Sequence, residues 1–185
     1  MDVIHGKREL RKAIAQMKLQ MTELQRQEES LFVQQQIEAT ERFSNAQVVL
    51  AYWALGDEVT LSPLIENWLG KKQFLLPVVV GNSLELRCHT GVASMVQSRH
   101  YGILEPTGSL FLEYEKIDLV IVPGVAFDAG KRRLGRGKGY YDRLLPLLIN
   151  AYKMGVCFSF QMVDFVPHDH YDHPMDKVIT GNSSF

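Results

Sequence analysis

The stretch QVVLAYWAL, residues 47–55, is a continuous apolar run rich in β-branched and aromatic residues. A strand with one wet face alternates apolar and polar side chains. An unbroken run of this length reads as a strand buried on both faces, inside a parallel sheet. The next segment, TLSPLIENWLGKK, carries helix punctuation: Ser62 as a cap, Pro63 at the first helical position and Gly70 past the end. QFLLPVVV (73–80) is the following strand, GNS a turn, and LELRCH (84–89) alternates like a partly exposed strand. EKIDLVIVPG (115–124) is another buried strand, ending in a Pro-Gly break. GYYDRLLPLLIN opens a helix expected to break near Pro146, and KMGVCFSF (153–160) and KVIT (177–180) read as late strands. Strands alternating with helices predict an α/β fold of three layers, a mostly parallel sheet with helices on both faces. No repeat, low-complexity tract or linker interrupts the pattern, so residues 1–185 are expected to form a single domain.

Two amino-terminal helices precede the first strand. Leu10, Ile14, Met17, Met21 and Leu24 recur at helical steps, and TELQ (22–25) fits a capping box, with Thr22 capping and Gln25 reaching back. The second helix is expected to run to about Phe43. Sustained heptads, which a coiled coil requires, are missing.

Hydrophobic residues make up 46% of the chain and charged residues 22%, which places it among globular proteins with a real core. Twenty Lys and Arg against 21 Asp and Glu leave a net charge of -1, so any attraction for anions must be local. The two cysteines, Cys88 and Cys157, sit in strand-like runs and are expected to be buried free thiols in a reducing compartment. No apolar run is long enough to span a membrane, and MDVIHGKRELRK lacks a signal-peptide hydrophobic region. A cytoplasmic protein is expected.

The local anion site is RRLGRGKGYYD (132–142). Between Lys131 and Arg143 lie six cations (Lys131, Arg132, Arg133, Arg136, Lys138, Arg143) and one acid, Asp142, a local balance of +5. Gly135, Gly137 and Gly139 let backbone amides approach a ligand and point into one concavity. The helix beginning near Tyr140 adds its own N–H groups. The combination suits a polyphosphate. The P-loop pattern fails, because Arg136 and Gly137 stand where Lys and Ser/Thr are needed. The dinucleotide fingerprint fails because the third glycine comes one residue early. Asp142 has two readings, a first-turn acid matching the helix dipole or a ligand of Mg²⁺. The loop follows directly from LVIVPG, and in such folds ligands lie beyond the carboxyl ends of the strands.

The stretch PGVAFDAGKRRLGRGKGYYDRLL resembles the signature of 5-formyltetrahydrofolate cyclo-ligases, also called methenyltetrahydrofolate synthetases. KRELRK, YWALGDEV, LPVV, GILEP and VPHDHYDHPMDKVIT agree in the same order, so the resemblance covers nearly the whole chain. It implies a three-layer α/β fold and conversion of 5-formyltetrahydrofolate to 5,10-methenyltetrahydrofolate with ATP and Mg²⁺, releasing ADP and phosphate. It implies ATP contacts at Lys7, Arg8, Arg11, Arg133, Leu134, Gly135, Arg136, Gly137, Lys138, Gly139, Tyr140 and Tyr141. Folate contacts are implied at Trp53, Glu58 and the segment Arg136, Gly137, Lys138, Gly139, Tyr140. Asp142 and Asp172 match metal-binding acids, with Asp169 and Asp176 as alternatives to the second. Arg136 and Lys138 are the residues expected to stabilise charge on the γ-phosphoryl group. Two departures stand out. Position 53 is often aliphatic in relatives, so Trp53 is expected to reshape the pterin pocket. Gly181 stands where the family commonly has an acid.

Two other readings compete. HDHYDH (168–173) offers three histidines and two aspartates, which invites a metallohydrolase; His5, His89 and His100 form no obvious motif with it. The basic loop with Tyr140 and Tyr141 invites a non-catalytic module that binds RNA or nucleotide. The cyclo-ligase reading expects small-molecule partners only, with no nucleic acid and no membrane, and is compatible with a monomer.

Overall fold

The structure, a computed structural model, describes residues 3–98 and 102–182. Three helices lead: α1 (Val3–Gln20), α2 (Glu23–Glu38) and α3 (Glu41–Asn45). The capping box that separates the first two is formed: Thr22 Oγ1 accepts from Gln25 N at 3.2 Å, and Thr22 N donates to Gln25 Oε1 at 2.9 Å. The second helix stops short of Phe43. Thr40 caps a new turn, its hydroxyl accepting from Phe43 N at 3.2 Å, and this turns Phe43 fully into the core.

The strands and the remaining helices follow in order: β1 (Val48–Leu50), α4 (Ser62–Trp68), β2 (Gln73–Val80), β3 (Ser83–Cys88), β4 (Met95–Gln97), β5 (Leu104–Pro106), β6 (Leu119–Pro123), β7 (Ala126–Asp128), β8 (Arg133–Leu134), α5 (Tyr140–Leu144), β9 (Tyr152–Cys157), β10 (Met162–Val163) and β11 (Lys177–Thr180). The central sheet has the order β11-β9-β6-β1-β2-β3. All neighbours are parallel except β3, which returns antiparallel on β2 at the edge.

Residue parity divides the sheet's two faces. Val49, Phe74, Leu76, Leu119, Ile121 and Met154 face Val33, Ile37, Phe43 and Leu64 of α2, α3 and α4. Leu50, Leu75, Val120, Val122 and Val178 face Phe127, Leu144, Leu145 and Leu148 on the other side. These are the three layers expected from the alternation of strands and helices.

Several boundaries differ from the sequence reading. β1 covers only Val48–Leu50 of the apolar run 47–55. After Ala51 N donates to Leu75 O at 2.9 Å the chain leaves the sheet, and the Tyr52 hydroxyl closes the loop on Val59 O at 2.7 Å. Ser62 does not cap α4: it is the first helical residue, and Leu61 precedes it with no side-chain cap. Leu61 is fully buried, so core packing fixes the entry to the helix. The helix after the glycine loop is short, with α5 giving way to a 3-10 turn at Leu145–Leu147 around Pro146. Both cysteines are free, but only Cys157 is buried; Cys88 lies half-exposed on the edge strand.

α1 uses a single fully buried residue of its stripe. Ile14 packs with Val125, Ala126, Leu134 and Val166, while Met17 and Leu24 are exposed. The helix therefore docks on the small β10-β7-β8 sheet and not on the central one. That docking carries the basic face of α1 to the glycine-arginine loop.

Candidate active site

β1 and β6 are neighbours, yet the chain leaves them in opposite directions, toward β2 on one side and β9 on the other. The crevice beyond their carboxyl ends is the topological switch point, where open α/β sheets bind ligands. A cavity of about 300 Å³ lies there. Its walls are Tyr52, Trp53, Leu55 and Glu58 after β1; Pro123, Gly124, Arg133 and Gly135–Asp142 after β6; and apolar residues such as Leu76, Val79, Leu84 and Leu104.

The β7–β8 hairpin aims the loop. Asp128, almost fully buried, accepts from Arg132 N at 3.1 Å and from Val166 N at 2.9 Å, which ties the hairpin to the segment before the histidine-rich run. Gly137 (φ 95°) and Gly139 (φ 69°) take left-handed conformations that other residues adopt only with strain. Beside them, Arg11 Nε donates to Gly135 O at 2.8 Å. Burial depresses the Arg11 guanidinium below its ordinary value, against the opposing pull of Asp142 and Asp172.

The cations of the loop are mostly engaged. Arg133, buried, reaches Asp142 Oδ1 at 2.5 Å and lies 5.4 Å above the Tyr141 ring. Arg136 pairs with Glu58 Oε1 at 2.9 Å and with Asp57, whose other oxygen accepts from Lys18 Nζ at 2.8 Å. Burial alone would depress Arg136; Glu58 and Asp57 outweigh it and hold the guanidinium above its ordinary value. Glu58 also accepts from Leu55 N at 3.1 Å. Arg143 donates to the Asn82 and Lys138 carbonyls. Among the described residues, the Lys138 ammonium has no partner, and the side chain is exposed.

Lys7 Nζ lies 2.8 Å from Asp169 Oδ2 and 2.6 Å from Asp172 Oδ2. The fold thus gathers Trp53, Glu58, Arg133, Arg136, Gly137, Lys138, Gly139, Tyr140, Tyr141 and Asp142 around one cavity, with Arg11 against the loop. Lys7 and Asp172 form a separate cluster with Asp169. Arg8 is not part of either group: it is exposed and lies beside Glu9. Leu134 is buried in the core, so any ligand contact falls to its backbone. Asp57 and Asp128 were not anticipated. Asp57 had only its position next to Glu58 to mark it, and Asp128 only its place before the turn at Ala129 and Gly130.

The carboxylates suit a hard cation such as Mg²⁺, which takes one or two protein oxygens and fills its shell with phosphate and water. Asp142 lines the cavity with Oδ2 unpaired among the described residues, and Asp172 keeps Oδ1 likewise. The histidine-rich run does not gather as a transition-metal site would. His168 Nδ1 meets Arg132 Nη1 at 3.3 Å, and among the described residues no three His, Cys, Asp or Glu side chains converge for a metal; His100 lies outside them. At Gly181, the space is taken by Glu29 of α2, whose Oε2 accepts from Ser159 N at 2.7 Å and Oγ at 2.9 Å.

A mostly parallel α/β sheet with a basic, glycine-lined cavity at its switch point is the arrangement in which open α/β proteins bind their ligands. Comparison with known proteins specifies the class. The profile of the 5-formyltetrahydrofolate cyclo-ligase family matches residues 3–181. The 5-formyltetrahydrofolate cyclo-ligase of Haemophilus influenzae is 28% identical over 184 residues, covering 95% of this chain and 97% of its own. That of Escherichia coli K12 is 34% identical over 145 residues, covering 73% and 78%. The NMR structure of Aquifex aeolicus 5,10-methenyltetrahydrofolate synthetase superposes with a TM-score of 0.85 at 36% identity, over 96% of this chain and 91% of that one. The chain belongs to the 5-formyltetrahydrofolate cyclo-ligase family, a family of ligases. No helix among the described residues is long and apolar enough to cross a membrane.

Proposed function

We propose that the protein converts 5-formyltetrahydrofolate to 5,10-methenyltetrahydrofolate in an ATP- and Mg²⁺-dependent reaction that releases ADP and phosphate. The observation that carries this reading is a single cavity lined on one wall by Trp53 and Glu58 and on the other by the loop Gly135–Asp142. One wall suits a heterocycle, apolar with a carboxylate. The other suits phosphates.

A formamide carbonyl is a poor electrophile. Transfer of the γ-phosphoryl group to the formyl oxygen turns that oxygen into part of a leaving group. N10 then attacks the formyl carbon, loses its proton, and phosphate departs as the ring closes. Such a transfer needs alignment and charge stabilisation more than a protein nucleophile. Lys138 and Arg136 supply the charge, and Arg11 buttresses the loop through the Gly135 carbonyl. Glu58 accepts hydrogen bonds from pterin nitrogens, a role that requires Arg136 to exchange one carboxylate partner for phosphate. Asp142 and Asp172 would hold Mg²⁺, which when bound neutralises phosphate charge. The residues named in this reading all lie on one chain, which is compatible with a single-domain cytoplasmic protein acting on small molecules, a monomer included.

The test is the absorbance of methenyltetrahydrofolate formed from 5-formyltetrahydrofolate with both ATP and Mg²⁺, and with each omitted. Product that forms without ATP, or no product with both, would overturn the reading.

A further inference from the structure

Among the described residues one buried side chain outside the cavity carries an unpaired polar atom, His89 Nδ1. The residue is 4% exposed and its side chain not at all. Its backbone is fixed, because His89 N donates to Phe74 O of β2 at 2.8 Å. Its ring is fixed as well. Nε2 lies 2.5 Å from Glu66 Oε1 of α4, and a carboxylate accepts, so the proton of that ring nitrogen points at Glu66. The imidazole then meets the Trp53 indole, with ring centroids 5.8 Å apart and planes at 40°. Trp53 lines the cavity and His89 does not.

An unpaired buried nitrogen costs its desolvation, and a leucine would fill the space without that cost. The side chain of Glu66 is 36% exposed, so water competes for its carboxylate and the pair adds little to the fold. Stability alone therefore does not account for a histidine here. Direction does. A hydrogen bond to α4 sets the plane of the ring, which an aliphatic side chain cannot do. The plane matters because the neighbour is flat: an indole offers the cavity its face or its edge, depending on how its second side-chain torsion is held. We infer that His89 is a positioning residue for the folate, one that holds the Trp53 indole in its orientation at the cavity wall while Glu66 holds His89. The inference rests on the cyclo-ligase reading, in which Trp53 borders the heterocycle. The contacts run from α4 through the end of β3 to the loop after β1, three segments that are apart in sequence and meet only in the fold.

A core role and a positioning role leave different marks. His89→Leu fills the space and removes the hydrogen bond. If His89 only fills space, the folate KM is unchanged, and any effect appears as lost stability or a smaller active fraction. If it holds Trp53, the effect falls on the folate and vanishes once residue 53 is no longer an indole.

The experiment measures steady-state kinetics and thermal melting of wild type, His89→Leu, Glu66→Gln, Glu66→Leu, Trp53→Leu and the double variant Trp53→Leu/His89→Leu. Trp53 itself is read, without substrate, by emission and near-UV circular dichroism in proteins that also carry Trp68→Phe, which leaves it the sole tryptophan. For His89→Leu the expected result is a roughly tenfold higher folate KM, with kcat and the KM for ATP unchanged. Its Trp53 emission should shift to the red and its near-UV signal weaken. Glu66→Gln keeps an oxygen that accepts from Nε2 and should retain the wild-type folate KM, whereas Glu66→Leu should raise it. Adding His89→Leu to Trp53→Leu should change the folate KM no further. An unaltered Trp53 spectrum in His89→Leu would overturn the inference. So would a folate defect of the same size with Trp53 removed, or a loss of melting temperature with the folate KM intact. Failure of the wild type to form the methenyl product would instead overturn the cyclo-ligase reading, and the Trp53 spectra would still decide whether His89 holds the indole.

Discussion

Lys7 Nζ sits 2.6 Å from Asp172 Oδ2, so a residue expected at the nucleotide and one expected at the metal hold each other. The pair pins α1 to the turn at Asp169–Asp172, whose backbone is fixed by Asp169 N donating to Asp172 Oδ2 at 2.8 Å. Burial pulls the Lys7 ammonium down, but the two aspartates outweigh it and raise it. Lys7 therefore acts as the resident cation of this acidic turn.

Replacing that cation should be felt in both stability and binding. Lys7→Met keeps the stem and removes the charge, leaving two partly buried carboxylates uncompensated. A loss of about 1–2 kcal/mol is expected in urea denaturation, because the pair is neither fully exposed nor fully buried. The KM for ATP should rise as well. A variant as stable as wild type would show that the contact ties nothing down.

Asp142 has two jobs in this geometry, orienting Arg133 at 2.5 Å and offering a second oxygen to the cavity. Asp142→Asn keeps the size and a carbonyl for Arg133. If the carboxylate holds Mg²⁺, the concentration of Mg²⁺ giving half-maximal activity should rise roughly tenfold or more. A superimposable Mg²⁺ titration would reduce Asp142 to its contact with Arg133 and the helix dipole.

The central architecture was readable because burial on a sheet depends on residue parity, which a sequence displays directly. Val49 and Leu50 pack on opposite faces, as do Leu75 and Leu76. What misled was the apolar tail of the first run: Tyr52, Trp53 and Leu55 are apolar because they line a cavity, not because they lie in a strand. Composition does not distinguish those two kinds of burial. The glycine-cation loop was legible for its local density. Its partners were not, because Arg136 meets Glu58 across 78 residues of chain and Asp57 is an ordinary loop acid until the fold closes.

The loop's cations should separate by how free they are to follow the phosphoryl group. Lys138 is unpartnered among the described residues, whereas Lys131 donates to the Asp176 carbonyl at 3.0 Å, away from the cavity. Loss of a preorganised charge used in the transition state costs on the order of 10²–10³ in turnover, while loss of a steering charge raises KM in a salt-dependent way. Lys138→Ala is therefore expected to lower kcat at saturating substrates by roughly 10²-fold. Lys131→Ala should leave kcat nearly intact. Equal small effects from both would mean a diffuse basic patch with no assigned catalytic charge.

Asp57 makes a prediction about acid. Burial pushes its carboxyl up, but hydrogen bonds and charge from Lys18 and Arg136 outweigh that and leave it below the ordinary value of 3.8. With the folded pKa depressed, the carboxylate stabilises the fold above 3.8, and that stability is lost as pH falls through the lower folded value. Asp57→Asn lacks this contribution at every pH. The stability gap between wild type and variant should therefore be full at neutral pH and close as the pH drops below 3.8. Because both partners are partly exposed, added salt should narrow the gap at neutral pH. The measurement is urea denaturation of both proteins from about pH 2 to pH 7, at low and high salt. A gap that stayed constant through the acid range would show that the Lys18–Asp57–Arg136 chain contributes nothing through its charge, and Arg136 would then be held at the cavity mouth by Glu58 alone.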